Sequence, residues 1–150
     1  MLLLLTGEKH RGKTTAAALL ACRLHRMGRR VRGILAPALY AGGRPRGFDL
    51  VDIATARRVP FARRPGPGEP FTFDAGGLAF GRTVLARCRR EARPGDFTLV
   101  DEFGPLELAG GGWREEVDRL AAAGRGHLVL VVRRELAAAT GALYAGAFPV

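Results

Sequence analysis

The 150-residue chain contains no serine, asparagine or glutamine, and of its 24 Lys+Arg only Lys9 and Lys13 are lysine. This bias matches GC-rich coding, in which arginine takes neutral basic positions. A lysine retained against that bias marks a task arginine cannot perform. The two cysteines, Cys22 and Cys88, lie far apart with no CxxC or Cys/His cluster. That excludes a disulfide framework and a zinc-finger pattern, and a reducing cytoplasm is the expected compartment. The opening Met1–Leu5 run has no basic stretch before it and stops at Thr6-Gly7, so it does not read as a secretory leader. No stretch approaches the ~20 apolar residues of a membrane span. The expectation is a soluble cytoplasmic protein without a membrane partner.

Hydrophobic residues make up 47% and charged residues 25%, the balance of a globular protein rather than a disordered one. A chain of this length fits one domain, at ~100–200 residues per domain, and residues 1–150 are read as that single domain. Residues 2–5 are apolar without alternation, as in a strand buried on both faces. A helix is expected over Thr14–Met27, with Ala18, Leu19, Cys22 and Leu24 on its buried side and Gly28 at its C-terminal cap. Val31–Leu35 reads as a strand and Pro37–Arg46 as a loop. Residues 47–53 and 58–62 read as an edge β-hairpin, because Pro60 suits an edge. Phe71–Phe73 reads as a short strand. A helix over 77–92 would turn Leu78, Val84, Leu85 and Cys88 inward. Strands at 97–100 and 127–132 flank a loop at 104–112 and a helix at 113–123. A last helix starts near Glu135. Strands alternating with helices predict an α/β fold with a mostly parallel central sheet.

The sharpest signal is Gly7-Glu8-Lys9-His10-Arg11-Gly12-Lys13-Thr14, a match to GxxxxGK[ST]. Such a loop cradles phosphates: glycines bring backbone N–H groups close to the oxygens, and the following helix adds its positive N-terminal end. Lys13 would reach the β- and γ-phosphates, and the Thr14 hydroxyl would ligate Mg²⁺. Roughly 0.002 such matches are expected by chance in a chain of this composition. The loop also follows an expected strand and opens an expected helix. His10 stands where many such loops carry a further glycine, and reads as a tolerated loop residue rather than a base.

Thr98-Leu99-Val100-Asp101-Glu102 is an apolar strand ending in two carboxylates. Asp101 would hold Mg²⁺, and Glu102 would take a proton from the attacking water. Neighbouring strand residues point to opposite faces, but at the strand's end the chain turns and both can approach one site. A base beside water favours hydrolysis over transfer to an acceptor.

The opening TGEKHRGKTT, the segment GFDLVDIATARRVPFAR and the run LVDEFGPLEL together resemble the THEP-type (cancer-related) nucleoside-triphosphatase family, over roughly residues 2–133 in the expected order. The run at 101–108 is the more specific part. The resemblance implies a three-layer, RecA-like P-loop domain that slowly hydrolyses ATP, GTP and other NTPs with Mg²⁺. By position, Gly7, Gly12, Lys13, Thr14 and Thr15 would bind phosphates and Mg²⁺. Asp101 would be the Walker B acid and Glu102 the base, and Gly104 and Glu107 match the rest of the pattern. Family members usually continue after the stretch at 131–134 with a helix, a further strand and a tail, so a final strand is expected to be short or missing here.

Other residues carry weaker signals. Glu107 fits either orientation of Glu102 or a loop salt bridge. Arg133 and Arg134 fit a cap or surface pair, with a γ-phosphate sensor as the sharper reading. Trp113 fits a core anchor better than a base-stacking platform. Phe71 and Phe73 read as core or sheet edge, and His25 and His127 as structural. The arginine clusters Arg23–Arg32, Arg57–Arg64 and Arg82–Arg93 leave nucleic acid as a possible partner. Size and phosphate loop also fit a small nucleoside or nucleotide kinase, with 42–70 as its lid, or a nucleotide-binding adapter with little turnover. A guanine-reading Asn-Lys-x-Asp motif is excluded by the lack of asparagine, so loose base specificity is expected.

Overall fold

The computed structural model describes residues 1–8 and 12–147; Lys9, His10 and Arg11 of the phosphate-loop motif lie outside the described residues. Its strands are β1 (Leu2–Gly7), β2 (Val31–Leu35), β3 (Ala38–Ala41), β4 (Arg44–Asp52), β5 (Arg58–Arg63), β6 (Thr72–Phe73), β7 (Phe97–Asp101) and β8 (His127–Arg133). The helices are α1 (Lys13–Arg26), α2 (Ala75–Glu91), α3 (Pro105–Leu108), α4 (Arg114–Ala123) and α5 (Ala137–Leu143), with a 3-10 turn at Arg134–Leu136 before α5.

The strands form one mixed sheet in the order β1-β8-β7-β2-β4-β5-β6, with β3 also paired to β4. The first four are parallel, and β4, β5 and β6 continue antiparallel. Helices cover both faces of the parallel part, which is why its strands are apolar without alternation. On β8, Leu128, Leu130 and Val132 join a core with Val84, Leu85 and Cys88 of α2 and Val117 and Leu120 of α4. The intervening Val129 and Val131 face Ala17 of α1 across the other side, as the two-residue period of a strand requires. No helix among the described residues is long and apolar enough to cross a membrane.

Four expectations need correction. Residues 37–46 are not a loop: β3 and β4 pair antiparallel around Gly42 and Gly43, both at positive φ (57° and 72°). Two left-handed residues form the tight turn that matches strand twist. Strands β4 and β5 pair antiparallel, yet β6 lies outside β5, so neither is the outermost strand. Pro60 is accommodated beside a register shift at Phe48/Asp49 instead, a bulge that relieves the missing N–H.

On α1 the buried residues are Lys13, Ala17 and Ala21, while Ala18, Leu19 and Cys22 face out. Lys13 is held inward at the helix start, and residues four and eight further on share its face. Small alanines there let α1 sit close to the sheet. Finally, the expected loop at 104–112 contains α3. The inward face expected of α2 is the observed one, with Val84, Leu85 and Cys88 buried.

Candidate functional site

Strand β1 delivers Gly7 beside Arg133 of β8, and α1 starts at Lys13 directly after the undescribed stretch and Gly12. Gly12 caps α1 in the left-handed region, at φ 71° and ψ 18°, where a Cβ would strain the chain. Lys13 is 8% exposed, and its Nζ donates to the Glu8 carbonyl at 2.9 Å. The ammonium is thus folded against the loop that would hold phosphate, with a backbone oxygen as its acceptor. An ideal Cβ on Gly7 would lie 3.0 Å from Lys13 Cγ, so the glycine leaves the lysine stem its path. Glu8 is exposed and its Oε1 lies 3.5 Å from Arg134 Nη1.

Asp101 ends β7 at 2% exposure, with Oδ2 accepting the Ala36 N–H of the segment after β2 at 3.1 Å. Burial raises its carboxyl to about 6; the Ala36 N–H, the Thr14 hydroxyl and Lys13 oppose that rise, and Glu102 adds to it. Asp101 and Thr14 therefore sit together at the N-terminus of α1. A hydroxyl and a carboxylate are hard oxygen donors of the kind Mg²⁺ takes, so the pair fits that ion. The Asp101–Glu102 peptide is cis. Glu102 is partly exposed, and its Oε1 accepts a hydrogen bond from Arg133 Nε at 2.9 Å.

Phe103 N–H donates to Val131 O, returning the chain to β8. Glu107 then ties down the next turn. Its Oε2 accepts the Gly104 N–H at 2.8 Å and its Oε1 the Trp113 N–H at 3.4 Å. The first bond is the backward half of a capping box at the start of α3. Gly112 passes so close that a Cβ would lie 2.0 Å from Glu107 Oε1, at φ 55°. Glu107 thus neither orients Glu102 directly nor makes a loop salt bridge among the described residues: it fastens the backbone on both sides of α3, just after the Glu102 turn. Burial pushes its carboxyl up from the ordinary value.

A family model described as NTPase matches residues 2–144. The chain belongs to this NTPase family. It is 32% identical over 121 residues to the nucleoside-triphosphatase THEP1 of Methanothermobacter thermautotrophicus, covering 80% of this chain and 70% of that protein. Its counterpart from Methanopyrus kandleri is 33% identical over 118 residues, 78% of this chain and 65% of that one. The fold is similar to the crystal structure of THEP1 from the hyperthermophile Aquifex aeolicus, at TM-score 0.72, 19% identity, 97% of this chain and 84% of the other. It is likewise similar to the solution structure of a human cancer-related nucleoside triphosphatase, at TM-score 0.67, 24% identity, 87% and 75%. The resemblance read from 101–108 and the phosphate loop is thereby borne out, and the NTPase chain is a nucleoside-triphosphate hydrolase.

In this NTPase one cavity of about 530 Å³ gathers part of the residues singled out from sequence; Gly7 and Glu8 do not line it, and Lys9, His10 and Arg11 lie outside the described residues. Gly12, Lys13, Thr14, Thr15, Asp101 and Glu102 line it together. Arg133 lines it as the partner of Glu102, whereas Arg134 does not and pairs with Glu8 at the surface. Trp113 is 2% exposed and packs against Phe61 at 5.3 Å, a core anchor whose edge also borders the cavity. Sequence reasoning missed the cavity's far wall, where Tyr40, Phe48, Phe61, Phe71 and Phe73 gather with Arg64.

Proposed function

We propose that residues 1–150 act as one RecA-like, Mg²⁺-dependent domain that hydrolyses ATP, GTP and other nucleoside triphosphates to diphosphate and phosphate with loose base specificity. The observation that carries this reading is the meeting of Lys13, Thr14, Asp101 and Glu102 in one cavity. The phosphate-loop residues Gly7, Glu8, Lys9, His10, Arg11, Gly12, Lys13, Thr14 and Thr15 are the proposed nucleotide-binding residues, and Lys13 would exchange the Glu8 carbonyl for the β/γ oxygens. Thr14 and Asp101 would hold Mg²⁺, which would supply charge neutralisation for the phosphates. Glu102, oriented by Arg133, accepts a proton from water on the γ side. The Pγ–O bond to the diphosphate breaks as the bond to the water oxygen forms. Catalysis rests on positioning and charge neutralisation. Both cysteines are free thiols, which suits a cytoplasmic setting.

Phosphate release from ATP and GTP, with and without Mg²⁺, tests this reading. Glu102→Gln should keep nucleotide binding and lose about 10²–10⁴-fold in turnover. Lys13→Ala should lose binding. Turnover unchanged in Glu102→Gln removes that residue from the mechanism.

A further inference from the structure

Resting on the reading above, the geometry points to a second ligand subsite in the same cavity, for a planar aromatic ring that carries an anionic group. The triphosphate end of the cavity is built from Lys13, Thr14 and Asp101, and Glu102 marks the side from which a nucleophile reaches the γ-phosphate. Past Glu102, away from α1, the wall changes character. Phe48 and Phe71 pack at 5.1 Å, and Phe61 meets Phe73 at 5.3 Å in an edge-to-face pair. Phe73 is 49% exposed and Tyr40 64% exposed, so both present ring surface at the cavity rim.

Arg64 lies with its guanidinium carbon 3.8 Å from the centre of the Phe71 ring. It makes no ion pair and no side-chain hydrogen bond among the described residues, and its Nε is buried without a partner there. Other arginines from the same stretch, Arg58 and Arg63, both pair with the one carboxylate of Asp49. A stacked, uncompensated cation beside aromatic faces binds an anion and a π-system together. Water attack on phosphate needs neither group. The occupant that matches both is a ring with a phosphate or carboxylate, of which a nucleoside monophosphate is the simplest test molecule. It would lie on the open side of Glu102 and displace the water there.

The experiment uses the whole chain saturated with Mg²⁺ and a non-hydrolysable ATP analogue. CMP and AMP are titrated calorimetrically, and phosphate release from ATP is measured alongside. The expected result is saturable binding of at least one mononucleotide to the analogue-loaded protein, with turnover falling and KM for ATP unchanged. Arg64→Met should weaken that binding at least tenfold. Tyr40→Ala, at a position 64% exposed, should weaken it severalfold. Three results overturn the subsite: no saturable binding of either mononucleotide, binding that competes with the ATP analogue, or wild-type affinity in both variants. Mononucleotide binding without any phosphate release would instead count against the hydrolysis mechanism and leave the subsite standing.

Discussion

Replacing Glu107 by alanine would strip two buried backbone donors of their acceptor at once. The Gly104 N–H bond is short, at 2.8 Å, and the Trp113 N–H bond is long, at 3.4 Å. A buried donor left without a partner costs about 1–3 kcal/mol. The short bond belongs at the upper part of that range and the long one at the lower. Against this, the carboxylate's own burial is unfavourable, as its raised proton affinity shows. Together these place Glu107→Ala at about 3 kcal/mol of lost stability. Glutamine keeps one oxygen for Gly104 but turns an NH₂ toward the Trp113 N–H, so Glu107→Gln should cost about 1 kcal/mol. For a chain of this length, 1 kcal/mol moves Tm by roughly 2–4 °C, so the alanine variant should melt about 6–12 °C lower. Urea unfolding followed by circular dichroism gives the free energies, because Trp113 emission would itself be altered. The loop that Glu107 fastens carries Glu102, so kcat should fall in both variants while KM for ATP stays near wild type. A Glu107→Ala protein within about 0.5 kcal/mol of wild type, the size of the measurement error, would refute the reasoning.

Asp52 is 1% exposed and bonded to Arg87, the Thr55 hydroxyl and the Ala54 N–H at 2.7, 2.7 and 3.0 Å. Burial alone would raise its carboxyl, but Arg87, Thr55 and Ala54 overcome that and hold it below the ordinary value. A depressed carboxylate stabilises the fold above its unfolded pKa and loses that contribution as pH falls through the folded one. Arg87→Met should therefore cost about 2–3 kcal/mol at pH 7, with the gap to wild type closing below about pH 4 in urea melts; an equal gap at pH 3 would count against the pairing. Gly81→Ala would place a Cβ 2.5 Å from two Trp113 ring carbons and 2.8 Å from Leu50. It should destabilise by about 1–3 kcal/mol despite alanine's helix preference, with a shift in the single tryptophan's emission. Burial pushes the Cys88 thiol up to about 11, whereas Cys22 is exposed. A thiol reagent at pH 8 should label one cysteine in the native protein and two in denaturant; two fast labels would show that α2 does not cover Cys88.

The parallel half of the fold was legible because its signals are local. An unbroken apolar run reads as a strand buried on both faces, and β7 and β8 are such runs; β1 is a strand as expected but not one buried on both faces, because it ends the sheet and leaves Leu3 37% exposed. The phosphate loop and the Asp101-Glu102 end carry their chemistry in consecutive residues. Burial on α1 was harder to read. Leu19 outranks Ala17 on hydrophobicity, yet Leu19 is 66% exposed and Ala17 fully buried, because the helix is rotated by the need to turn Lys13 inward. The Gly42-Gly43 turn was readable in principle, since two adjacent glycines between Tyr40 and Pro45 satisfy a tight hairpin. The proline and arginines around it obscured the strands.

The far wall of the cavity was out of reach for a different reason. Its members come from β3, β4, β5 and the stretch into β6, and alternation along a strand tells which residues share a face but not which strand lies alongside. Only the order β4-β5-β6, with β3 on β4, brings Tyr40, Phe48, Phe61 and Phe73 to one side. Each arginine cluster is paired with carboxylates only in part. Arg30, Arg32, Arg58, Arg63, Arg82 and Arg87 each have a carboxylate partner within 4 Å, while the net charge of +10, which already subtracts every carboxylate, remains uncompensated elsewhere on the chain. Arg64 stands apart from its neighbours because the antiparallel extension places it against Phe71 and not against Asp49. A nucleic-acid surface would show as a steep fall of affinity with salt across many arginines. A single stacked arginine in a cavity implies one anionic contact, and a shallow salt dependence of mononucleotide binding separates the two.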